Sequence, residues 1–126
     1  MGRLILGILA GVVTFAVILG VIEFLAHQLS PPQDSAATLA IVAGAYFLGS
    51  AAGGVVAGRI TRRDWAPWFI ALLVLAGAVW ALLEMPHPLW MQGASVLAPI
   101  AGGFAARAFL RRQTAAPAAV AADRTA

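Results

Sequence analysis

The chain has 126 residues, 62% of them hydrophobic and 10% charged, and a net charge of +3 carried by Arg with no Lys. An average soluble domain is about a quarter charged, and a globule this small leaves too much surface wet to hide so much apolar area. With a mean hydropathy of +0.92, a water-soluble enzyme and a disordered chain are both excluded, and the sequence reads as that of an integral membrane protein.

The first apolar segment runs from Leu4 to Leu29, with no charged residue between Leu4 and Ile22. It is longer than the roughly 7–15 apolar residues of a cleaved leader, so a membrane-spanning helix is expected. Gly7 and Gly11, four apart, form a small-residue face that Thr14 continues. Near the far end Glu23 and His27 are also four apart, which places them on one helix face. A Pro-rich break over Ser30–Ser35 follows, with Asp34 or Ser35 positioned to cap the next helix.

The second segment covers residues 36–58 and carries Gly49-x-x-x-Gly53 and Gly54-x-x-x-Gly58, with Ala45, Ala52 and Ala57 alongside. A basic turn from Arg59 to Asp64 leads to the third segment, residues 65–83. Glu84-Met85-Pro86-His87-Pro88 reads as a short, stiff hinge. The fourth segment, residues 89–110, contains Gly93, Gly102, Gly103 and Pro99. Pro99 removes a backbone donor, leaves the Ser95 carbonyl without its helical partner and is expected to bend the helix. Residues 113–126 form an Ala/Pro tail with little to pack, expected to be a flexible cytoplasmic extension of a 1–112 transmembrane domain.

Each segment is near the roughly 20 residues that a helix needs to cross the hydrocarbon, and none shows the alternation of a barrel strand. The expected fold is therefore all-α, an integral membrane four-helix bundle. Threading the spans puts Arg3, Arg59, Arg62, Arg63, Arg107, Arg111 and Arg112 on one side, and no Arg in the two loops opposite. This bias predicts that both termini are cytoplasmic, in a bacterial inner membrane, with Trp65 and Trp68 at the inner interface and Trp90 at the outer one. Arginines sitting at span ends set topology, so nucleic acid is not an expected partner.

Ala52-Gly53-Gly54 recurs as Ala101-Gly102-Gly103 at an offset of 49, which also carries Arg62-Arg63 onto Arg111-Arg112. The match reads as two repeated helical hairpins of the same orientation. Helix packing is assigned to Gly7, Gly11, Gly49, Gly53, Gly54, Gly58, Gly102 and Gly103, because in lipid close backbone approach supplies the contact energy.

Four ionisable groups remain for chemistry: Glu23, His27, Glu84 and His87, all at the outer end. Two carboxylates and two imidazoles are a possible divalent-metal set, a titrating pair, or interfacial residues in contact with water. Thr14, Ser50, Thr61 and Ser95 have no activating partner in the pattern, and no phosphate-binding loop is present, so no enzyme is expected. The length and span count resemble those of small multidrug transporters and small fluoride channels. The outward position of Glu23 departs from the membrane-embedded first-helix Glu of the multidrug transporters, the strong Arg bias departs from both, and the residues assign no family. What remains is an expectation: an accessory or assembly subunit packed against other membrane subunits and lipid. The alternatives are a self-associating channel or carrier for a small solute or ion, and a metal- or pH-responsive sensor using the Glu/His group.

Overall fold

The computed structural model describes residues 1–29 and 35–125. It is an all-helical bundle of α1 (Gly2–Leu29), α2 (Ala36–Thr61), α3 (Ala66–Glu84) and α4 (Leu89–Thr125). All four helices are long and apolar enough to cross a membrane, α4 over its stretch Leu89–Ala115. The chain is thus a multi-pass, four-helix membrane protein.

Helix ends follow local chemistry. Ser35 is extended (φ −69°, ψ 142°), and its Oγ accepts the Thr38 N–H at 3.2 Å, capping α2. The alternative cap, Asp34, and the rest of the break at 30–34 lie outside the described residues. At the other end of α2, Arg62 adopts the left-handed conformation (φ 55°, ψ 37°) and returns its N–H to the Gly58 carbonyl at 2.9 Å. A non-glycine residue there costs about 1 kcal/mol relative to glycine. Pro67 stands in the first turn of α3, where a missing N–H is harmless. The Pro88 carbonyl accepts from the N–H groups of Met91 and Gln92 and so starts α4. The alanine-rich stretch after Leu110 continues α4, so the backbone of the expected tail is helical as far as Thr125.

α2 is the centre of the bundle: it packs against α1, α3 and α4, whereas α1 rests on α2 and touches α3 only slightly. Small residues allow the helices to approach this closely. A Cβ added to Gly11 would lie 2.7 Å from the Gly53 carbonyl oxygen, and one on Gly53 would lie 2.6 Å from that of Gly11. Gly7 sits against Thr61, and Gly49 against the Phe15 ring. Residue numbers rise along α1 as they fall along α2, so these two helices are antiparallel. Gly58 meets Leu110, Gly54 meets Ala106, and Ser50 donates to the Pro99 carbonyl at 2.8 Å. Both numbers rise together here, which makes α2 and α4 parallel.

Two hairpins of one orientation are therefore present, but the repeated glycines do not take equivalent roles. Gly53 faces α1, whereas its counterpart Gly102 lies against Phe47 and Ser50 of α2. Gly103, the counterpart of Gly54, meets Ala71 of α3. α3 packs on both α2 and α4, while among the described residues α1 makes no comparable contact with α4. The second hairpin is thus rolled relative to the first. Between the helices, Ile70, Val74, Ala57, Ala66 and Ala78 form the buried core. Outside, large side chains such as Leu9, Val13, Phe24, Leu72, Trp80 and Phe104 are exposed, as a bilayer solvent permits.

Candidate functional site

At the end of the bundle where α3 passes into α4, a cavity of about 430 Å³ opens between all four helices. Glu23 reaches it from α1, Tyr46 from α2, Ser95 from α4, and His87 from the loop above. Pro86 and Pro88 flank His87 and keep it out of both helices, as their missing N–H groups require. The His87 ring is oriented by its Nδ1–H, which donates to the Met85 carbonyl at 2.7 Å; a carbonyl can only accept, so this nitrogen carries the proton. The loop is tied to α4 by Gln92 Nε2, which donates to the His87 carbonyl at 2.9 Å.

The Ser95 hydroxyl is 1% exposed, lines this cavity and has no hydrogen-bond partner among the described residues. Its counterpart by the repeat offset is Tyr46, three residues before Gly49 as Ser95 is three before Ala98. Tyr46 is also buried and lines the same space. The cavity thus offers a carboxylate, a phenol, a hydroxyl and an imidazole to a small polar guest or to water.

The four residues singled out from sequence divide. Glu23 and His87 share this lining, whereas His27 and Glu84 are not part of it. Among the described residues no three His, Cys, Asp or Glu side chains come together in a way that would hold a metal ion. The reason lies in the hinge: Pro86 ends the helical spacing that would have brought His87 back over Glu84. Deeper in the bundle, the polar groups are absorbed locally. Thr14 donates to the Ala10 carbonyl at 2.8 Å, and Ser50 is spent on Pro99.

The opposite end carries a second cavity, of about 370 Å³, lined by Arg59, Arg62, Arg63, Arg107 and Arg111. Asp64 is the one carboxylate in its lining. Sequence reasoning treated these arginines only as topology signals. The offset of 49 places Arg62-Arg63 and Arg111-Arg112 at the same end, but which arginines share one space depends on how the helices are rotated, and Arg59 and Arg107 are not related by it. Arg3 belongs to the same end, as the contact of Gly7 with Thr61 fixes, and neither Arg3 nor Arg112 lines the cavity.

Comparison with known proteins finds no matching family model, no matching curated protein and no matching solved structure. Any functional reading must therefore rest on the residues and their geometry alone.

Proposed function

We propose that this chain is a small subunit of the bacterial inner membrane that acts by packing: an accessory or assembly subunit seated against a larger membrane complex, with both termini cytoplasmic. The observation that supports this most is the division of the glycines. The eight assigned to helix packing meet neighbouring helices, whereas Gly20, Gly44, Gly77 and Gly93 are exposed and have open space where a Cβ would stand. All four lie in the half of the bundle away from the arginines. Small residues facing outward are where a helix of another subunit approaches a backbone closely. The interior supports the same reading: Ile70 and Val74, each 1% exposed, are packed in the core between the helices.

The test is native mass spectrometry of the protein extracted gently from its own membrane. A heteromeric mass that Gly20→Leu or Gly77→Leu abolishes, without change in the thermal stability of the isolated chain, supports the reading. A homo-oligomer that forms alone overturns it and favours a second reading, a pore between copies with the Glu23, Tyr46, Ser95 and His87 cavity at its mouth. In that case Glu23→Gln alters flux or its pH response.

A further inference from the structure

The arginine-lined cavity has a shape and chemistry that topology does not require. A positive-inside bias is satisfied by arginines spread around the rim of a bundle. Here they converge instead: Arg59 and Arg62 from the end of α2, Arg63 from the turn, and Arg107 and Arg111 from α4, around one space. Like charges brought together repel, and one carboxylate, Asp64, does not balance five guanidinium groups.

Two local features sharpen the point. Arg107 is partly buried, and its Nε is buried with no hydrogen-bond partner among the described residues, an unmet donor inside a low-dielectric site. Arg62 holds the left-handed position that glycine occupies at lowest cost, so the turn keeps a guanidinium at the rim despite backbone strain. Arg59 is positioned already: its Nη2 donates to Gln113 Oε1 at 2.8 Å, and its guanidinium stands 5.6 Å over the Phe109 ring. The inner wall is apolar, formed by Gly58, Pro67 and Leu110, with Gly58 and Pro67 buried between the helices.

We propose that this cavity binds a phosphate group, carried by an anionic phospholipid whose headgroup enters among the arginines. Guanidinium forks match phosphate oxygens in pairs, and basic pockets between spans at the interface suit such headgroups. The inference is independent of the packing role proposed above.

The experiment uses the full chain in a neutral detergent. Thermal melting and native mass spectrometry follow addition of short-chain phosphatidylglycerol, phosphatidylcholine of equal chain length, or inorganic phosphate. Phosphatidylglycerol is expected to bind and raise the melting temperature, phosphatidylcholine to do neither, and Arg62→Gln or Arg63→Gln to weaken retention by about fivefold each. Both positions are exposed, so the unliganded variants stay folded, with a melting temperature unchanged or raised by the relief of like-charge repulsion. Arg107→Lys keeps the charge but loses the fork, and falls between. Binding of inorganic phosphate at the same site, lost in the same variants, identifies the guest as phosphate itself and supports the site. Equal retention of both lipids with no response to phosphate overturns the proposal. So does an equal loss in Arg3→Gln, which lies at the same end outside the lining, because that result means a diffuse surface potential.

Discussion

Ser50 and Ser95 are both buried hydroxyls in the spans, yet removing them should have opposite consequences. Ser50 donates to the carbonyl of Pro99, locking α2 to α4 where the proline breaks the helical ladder. Ser50→Ala should cost about 0.6 kcal/mol, the average for an interhelical hydrogen bond in lipid. Ser95 has no such partner among the described residues, so Ser95→Ala removes a desolvated hydroxyl and should leave stability unchanged or raise it. Melting of the two variants in one detergent checks the sign. The glycines differ in the same way. At Gly53 even an alanine places a methyl 2.6 Å from a backbone oxygen that has little room to yield. Gly53→Ala should destabilise the bundle by about 1–3 kcal/mol, whereas Gly20→Ala adds its methyl in open space and is tolerated. From sequence these glycines look the same, since each is a small residue in an apolar run; what distinguishes them is which face the bundle covers.

Among the helices, α1 is the exposed partner. Its buried positions are Gly7, Gly11 and Ala26, and its larger side chains Leu9, Val13, Val17 and Val21 point outward. It is therefore held by close backbone approach along α2, with Ile8, Val12, Phe15 and Leu19 packing against the core from one side. Gly11→Leu should release α1 while leaving α2, α3 and α4 in contact. Hydrogen exchange should show protection falling along residues 2–29 and persisting across α2 and α3; a uniform loss across all four helices would contradict that division. Helix identity was fully legible, because each run is long, apolar and uninterrupted. The extra turn of α2 to Thr61 was not, since the Arg62 that ends it takes a backbone conformation that side-chain type does not advertise. The roll of the second hairpin was also hidden. Sequence similarity between Gly53-Gly54 and Gly102-Gly103 says nothing about which neighbour each glycine faces.

For the molecule as a whole, the two ends are chemically distinct, one arginine-lined and one carrying Glu23, Tyr46, Ser95 and His87. In the proposed orientation the arginine end faces the cytoplasm, and the absence of cysteine makes a single introduced thiol a unique reporter. Glu84→Cys in intact cells should react with a membrane-impermeant maleimide, and Asp123→Cys should react only after permeabilisation. The reverse pattern would invert the protein and place the phosphate site outside.

Composition and spacing by themselves determined the membrane habitat, the four helices and the gathering of arginines toward one end. These follow from local rules: apolar length, breakers and the cost of burying charge. Tertiary structure alone decided that α2 lies at the centre, that α2 and α4 run side by side, and that five arginines share one cavity. It also put Glu23 and His87, without His27 or Glu84, in the lining of one cavity. Such outcomes depend on how each helix is rotated about its axis, and that rotation is set by the joint packing of many small residues from different helices, a property no single segment carries.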